Sequence, residues 1–229
     1  MYPDDPGSGN DSDRTVIKPM PGGRRSRTSP AVEQPVHSGY AQARNRHTSL
    51  PSGSCGRNCL IDSAGTLFSL VGQLRGTTSH PDVDTLRVQV EQEVKDFESA
   101  ARAGGADAEE VATARYLLCT LIDETVLGTP WGNESIWNQQ TLLAKFHREA
   151  WGGEKFFNIL DHLLQEPSRF IDLLELIYLC LIMGFEGKYK VQDQGRGKLQ
   201  SIQDNLFLTI RNMRGEFERE LSPNWQGVI

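Results

Sequence analysis

An all-α fold is what this sequence predicts, on three observations. Apolar residues recur at three- and four-residue spacing from about Leu60 to Met213, capping residues and glycines punctuate that pattern, and strand-like alternation is absent over any useful length. Ahead of this region, Met1 to about Gly56 is mainly Pro, Gly, Ser, Arg and Asp without hydrophobic period. So little apolar surface cannot offset chain entropy, and residues 1–56 are expected to form a disordered tail. With 229 residues, the chain has room for one compact unit plus that tail, and its nine Phe, five Tyr and four Trp provide large core anchors.

Order is expected to begin near Cys59, where Leu60, Ala64, Leu67, Phe68, Val71 and Leu74 share one helical face until Gly76. Asp82, after His80-Pro81, can cap a second helix with Val83, Leu86, Val90, Val94 and Phe97 on one stripe, closing at Gly104-Gly105. Asp107 followed by Glu110 is a capping-box start for a third, which carries Val111, Ala114, Leu118, Leu121, Ile122 and Thr125 and stops before Pro130. A shorter helix is expected around Ile136 to His147, and Gly152-Gly153 opens a fifth that holds Phe156, Phe157, Ile159, Leu160, Leu163 and Leu164 until Pro167. Ser168 is expected to cap a sixth, from about Arg169 to Met183. It is apolar nearly all round and is therefore expected at the centre of the bundle. A polar loop, 185–194, leads to a last helix with Leu199, Ile202, Leu206, Ile210 and Met213 on one face, and Gly215 to Ile229 reads as a linker.

Charge is unevenly spread. Residues 1–59 hold eight Lys/Arg against five Asp/Glu, and residues 60–229 hold sixteen against twenty-five, so the tail carries +3 and the body −9. A body that acidic is repelled by phosphate backbones, so no nucleic-acid partner is expected; the cluster Arg24-Arg25-Ser26-Arg27 reads as a solvated basic patch. The start Met-Tyr-Pro-Asp-Asp reaches no apolar secretory core, which places the chain in the cytosol. The longest apolar stretch, Leu176 to Met183, is too short to span a bilayer. Cys119 and Cys180 sit inside apolar helical patterns, as small buried thiols do, and Cys55 and Cys59 have no second pair or His cluster to complete a zinc tetrahedron.

Asp123-Glu124 is the pair with most chemical interest. At about 100° per residue both lie off the Ile122 stripe, beside Tyr116, Leu117, Thr120 and Leu127. Two carboxylates on a partly apolar face suggest a groove that receives a basic partner, a structural hydrogen-bond network, or a catalytic pair. His147-Arg148-Glu149 lacks the Pro-Cys-x-x-Cys that a zinc deaminase needs, so His147 reads as a helix-end residue carrying a favourable charge or bonding a terminal carbonyl. Gly195-Arg196-Gly197-Lys198 lacks phosphate-loop spacing, and no G-x-S-x-G is present, so neither a nucleotide cofactor nor a nucleophile is implied. Trp131, Trp137 and Trp151 read as anchors pinning the connection between halves of the bundle.

An ordered series of motifs resembles the TssL/DotU (IcmH/DotU-like) family, the cytoplasmic part of an inner-membrane component of bacterial type VI secretion. The motifs are Arg115 to Cys119 leading to Ile122-Asp123-Glu124, Thr129-Pro130-Trp131-Gly132, Phe146 to Phe157, Leu173 to Leu181, Gly184 to Tyr189, and Leu221-Ser222-Pro223-Asn224-Trp225. The resemblance spans about Leu60 to Trp225 and implies about seven to eight helices in two packed, hook-shaped bundles, here within residues 57–214. It implies a non-catalytic scaffold at the cytoplasmic face of the inner membrane that joins TssM and TssJ and docks baseplate proteins, notably TssK, with self-association a further expectation. On that analogy Asp123 and Glu124 line the partner cleft, and Glu186, Lys188, Tyr189, Lys190, Gln192 and Asp193 form a second contact surface. No cofactor, metal or small-molecule substrate is expected. The family usually continues past Ser-Pro-x-Trp into a transmembrane anchor, toward which residues 215–229 would lead, and often has Asn-Pro-Leu where this chain has Asn58-Cys59-Leu60. The rival readings are a metal-dependent hydrolase using Asp123, Glu124, His147 and Glu149, and a cytosolic adaptor outside type VI secretion, the related type IVB role included.

Overall fold

A computed structural model describes residues 58–215. The helices are α1 (Cys59–Ser63), α2 (Gly65–Arg75), α3 (Val83–Ala103), α4 (Ala108–Leu127), α5 (Pro130–Asn133), α6 (Leu142–His147), α7 (Gly153–Leu163), α8 (Ile171–Ile182) and α9 (Gly195–Arg214), with 3-10 turns at Ile136–Asn138 and Gly187–Val191. No strand occurs among the described residues. The expected tail, residues 1–56, and nearly all of the expected linker lie outside them.

Local sequence explains most boundaries. The Asn58 side chain accepts from the N–H groups of Leu60 and Ile61 and so caps α1, with Cys59 standing first in the helix. Asp82 caps α3 through the Thr85 N–H, and Asp107 with Glu110 forms the expected capping box on α4.

Three expectations are corrected, and one short helix is added after a stop that falls where expected, before Pro130. The single helix expected from Leu60 breaks at Ala64, whose N–H is shared between the Leu60 and Ile61 carbonyls, so that α1 and α2 are separate. Pro130 not only ends α4's run but opens α5, where its missing N–H is harmless and Thr129 supplies the cap. The helix expected over Ile136–His147 divides into a 3-10 turn capped by Ser135 and α6 capped by Thr141, because two caps in one stretch start two elements. Ser168 does not cap α8: its hydroxyl is spent on the Met213 sulfur, and the chain turns through Glu166–Phe170 before Ile171.

The central helix is α4 rather than α8. Every residue from Tyr116 to Asp123 is buried, and α4 packs against α2, α3, α5, α6, α7 and α8. α8 lies at one side, with Leu173, Leu174, Leu176, Ile177, Cys180 and Leu181 inward and Ile182 about half exposed. The two sets of helices, α1–α3 with α5–α6 and α7–α9, meet along α4 and α8 and share one contiguous core, with α1 also resting on α8. Asn58 and Arg214 meet on α8: Asn58 Nδ2 donates to Glu175 Oε2 at 2.7 Å and Arg214 Nη2 donates to the same oxygen at 2.9 Å. Both ends of the described fold thus leave from one pole. The Cys119 and Cys180 thiols are fully buried, which pushes both above the usual thiol range.

Candidate functional site

Adjacent residues Asp123 and Glu124 on α4 do two different jobs. Asp123 is buried, and both of its oxygens are occupied: Oδ1 accepts from Trp137 Nε1 at 2.8 Å and from the Leu142 N–H at 2.9 Å, and Oδ2 accepts from the Leu143 N–H at 2.9 Å. Leu142 and Leu143 open α6, so the carboxylate binds a helix start whose first N–H groups have no intrahelical partner. Burial pushes the Asp123 pKa up to about 6, against the pull of the three donors.

Glu124 is half-buried and clasps the 185–191 segment. Its Oε1 accepts from the Glu186 N–H at 2.7 Å and its Oε2 from the Gly187 N–H at 2.8 Å. Burial raises its pKa too, while those two N–H groups and Lys190 lower it. From the other side an aromatic cluster supports the same segment: Phe185 lies 4.2 Å from Phe156 and 5.9 Å from Phe157 between ring centres, and Tyr189 meets Phe157 edge-on at 4.7 Å. Lys188 Nζ sits 5.4 Å from the centre of the Phe157 ring.

Between these clasps opens a cleft of about 480 Å³. α4 forms its floor through Thr120, Asp123, Glu124 and Leu127, residues 150–154 form one wall, and the 3-10 turn at Gly187–Val191 forms the other. The walls approach so closely that side chains are excluded. A Cβ on Gly152 would stand 2.6 Å from Thr120 Oγ1, and one on Gly187, whose φ is +51°, would stand 2.8 Å from the Gly153 carbonyl oxygen. Trp151 and Val191, on opposite walls, are 84% and 89% exposed. Lys188, Lys190 and Glu154 add charge to the lining. A smaller polar cavity of about 350 Å³ shares Glu124 and Lys190 and adds Glu186 and Arg75.

Of the residues expected to contact a partner, Asp123, Glu124, Lys188 and Lys190 are brought together in the cleft, and Glu186 joins Glu124 in the neighbouring cavity. Tyr189 turns inward to Phe157, while Gln192 and Asp193 are exposed just before α9. Trp137 and Trp131 anchor as expected: Trp137 is fully buried on Asp123, and Trp131 donates to the Thr77 carbonyl at 3.3 Å. Trp151 does not anchor, because the Gly152 and Gly153 contacts already hold its loop and leave the ring in solvent. Its place beside two glycines was visible in the sequence; its outward direction was not. Thr120 lines the cleft on the helical face where its spacing put it, beside Asp123 and Glu124, whereas Asn133, Asn138 and Thr141 line it without any sequence signal.

His147 is corrected too. At the end of α6 its Nε2 accepts from Arg115 Nε at 3.3 Å, which requires the neutral ring, and burial together with Arg115 lowers its pKa. Glu149 is held by Lys155 and by the Tyr116 hydroxyl at 3.0 Å. The Asp123, Glu124, His147 and Glu149 set of the hydrolase reading is thus divided among four sets of hydrogen-bond partners. Among the described residues no group of three His, Cys, Asp or Glu side chains could hold a metal ion.

A family model described as type VI secretion system protein DotU matches residues 59–229. The crystal structure of TssL from Vibrio cholerae is similar at 36% sequence identity and a TM-score of 0.64, over 69% of this chain and 99% of that one. The cytoplasmic domain of TssL from Acinetobacter baumannii is similar at 25% identity and a TM-score of 0.63, again over 69% and 99%. SciP/TssL from enteroaggregative Escherichia coli 042, at 23% identity and a TM-score of 0.55 over 71% and 93%, shares the fold. No curated protein matches the chain.

Proposed function

The chain belongs to the DotU family of type VI secretion system proteins, a structural component of that machine, and we propose that it works there as a non-catalytic docking body linking inner-membrane partners to the cytosolic baseplate. The partners in this reading are TssM and TssJ on the membrane side and TssK among the baseplate proteins. Its place is the cytoplasmic face of the inner membrane; no helix among the described residues is long and apolar enough to cross a bilayer.

The observation that carries the reading is the pair of exposed apolar side chains, Trp151 and Val191, lining one cleft. A tryptophan left in water beside a preformed cavity is the kind of residue that carries binding energy when a partner desolvates it. Lys188 and Lys190 supply charge for register, and Gln192 and Asp193 extend the contact surface beyond the cleft. Asp123 and Glu124 contribute by shape: one fixes α6, the other fixes the 185–191 wall.

The test is co-purification of purified baseplate protein TssK with Trp151→Ala and with Lys190→Glu, alongside secretion by bacteria carrying the same variants. Loss of association by at least tenfold in either folded variant is expected, with secretion falling in parallel. Wild-type association and secretion in both variants would overturn the cleft as the docking surface.

A further inference from the structure

The charges lining the cleft divide into those the fold has already engaged and those it has not. Asp123 and Glu124 stand in the floor, yet each of their four oxygens already accepts an N–H of this chain, from Trp137, Leu142, Leu143, Glu186 and Gly187. A basic side chain entering here finds no oxygen of this pair without a donor. The lysines differ. Lys188 is half-buried, with its Nζ 5.4 Å and 5.5 Å from the ring centres of Phe157 and Tyr189. Lys190 is exposed, its Nζ near Gly128 at the end of α4, where it attracts Glu124. Neither ammonium forms an ion pair among the described residues. Ring faces hold an ammonium more weakly than a bonded carboxylate does, so both lysines keep their donors for an anion from outside.

We propose that the cleft takes an acidic segment of a partner protein, with a carboxylate seated against Lys188 and Lys190 and a neighbouring large apolar side chain against Trp151 and Val191. Resting on the docking role proposed above, this occupant has the opposite charge to the one that Asp123 and Glu124 by themselves suggest. A cleft of about 480 Å³ accepts a few side chains rather than the face of a domain, so the occupant is a short protruding segment. Asn133 and Asn138, whose side-chain amides form no hydrogen bond among the described residues, can pair with the backbone of such a segment. Glu154, the carboxylate of the lining that the described fold leaves unbonded, stands in the first turn of α7, on the 150–154 wall, and the uncapped N–H groups of that turn offset its charge. What repulsion it keeps favours seating of the incoming carboxylate at the lysines.

The experiment titrates the full chain with three capped hexapeptides, Glu-Leu-Glu-Leu-Glu-Leu, Gln-Leu-Gln-Leu-Gln-Leu and Lys-Leu-Lys-Leu-Lys-Leu. Calorimetry reads affinity, and a blue shift of tryptophan emission that Trp151→Phe abolishes reads the place of binding. The acidic peptide is expected to bind about tenfold or more tightly than the basic one, with the glutamine peptide between, and about 0.5 M salt should narrow the gap. The double variant Lys188→Gln, Lys190→Gln should weaken the acidic peptide by about tenfold, and Glu154→Gln should strengthen it by about twofold, with circular dichroism unchanged from wild type verifying the fold of each. Tighter binding of the basic peptide, equal binding of all three, no binding of any up to about 1 mM, or an acidic peptide indifferent to the double lysine variant would each overturn the proposal. Equal binding of the peptides with TssK association still lost in Trp151→Ala removes only the acidic preference. Preferred binding of the acidic peptide with TssK association indifferent to Trp151→Ala upholds that preference and removes only TssK as the partner.

Discussion

Replacing Asp123 by alanine removes the acceptor for three buried donors at once, the Trp137 indole N–H and the N–H groups of Leu142 and Leu143. Each buried donor left unsatisfied costs about 1–3 kcal/mol. Part of that sum is offset, because the ionised carboxylate itself is held out of water, as its pKa of about 6 shows. A net loss of about 3–5 kcal/mol is expected, the range for removing one partner of a buried charged contact. For a domain of this size that lowers the Tm by on the order of 10 °C. Asp123→Asn keeps one carbonyl oxygen for Trp137 and Leu142 but turns an amide N–H₂ toward the Leu143 N–H, so it should lose about 1–2 kcal/mol. Urea unfolding followed by far-ultraviolet circular dichroism gives both values. A cycle with Trp137→Phe isolates the indole bond and should return a coupling of about 1 kcal/mol or more. An Asp123→Ala loss below about 1 kcal/mol, or an asparagine variant less stable than the alanine one, would refute the clasp.

The same carboxylate makes stability depend on pH. Its folded pKa of about 6 lies above the ordinary value of 3.8, so its contribution is fully present below pH 3.8 and is lost as pH rises through 6. From pH 7 to pH 4, wild type should therefore gain about 2 kcal/mol over Asp123→Asn in parallel denaturation curves. Glu124→Ala should speed amide exchange at Gly187 by about tenfold or more while exchange in α3 stays unchanged, since the Gly187 N–H loses its acceptor. Gly152→Ala forces a Cβ into Thr120 and Leu143 and should cost about 1–3 kcal/mol, partly restored by Thr120→Ala, as read from Tm. Cys119 and Cys180 should react with a thiol reagent only as fast as the protein unfolds, because both are buried with raised pKa values.

The carboxylate pair shows what each level of description supplies. In sequence, Asp123 and Glu124 are two neighbouring acids on a partly apolar helical face, suited as well to a partner as to a structural network and less well to catalysis. In the fold they point to different elements, with one buried under α6 and the other reaching the 3-10 turn. The proposed partner surface includes side chains that made no individual claim in the sequence, such as Val191, or that suggested the opposite role, as Trp151 did.

The helical class, the capping of α3 and α4, the start of α7, the ends of α9 and the family motifs were all readable from the sequence alone. Helix periodicity and caps act within about four residues, so the string itself contains both partners. The centrality of α4, the division of labour between Asp123 and Glu124, the neutral His147 and the exposure of Trp151 belong to the tertiary structure. Each depends on atoms far apart in the chain, as when Glu124 meets an amide 63 residues away. The direction a side chain takes at such a distance is set by which helices pack beside it, and one helix's own spacing carries no record of its neighbours.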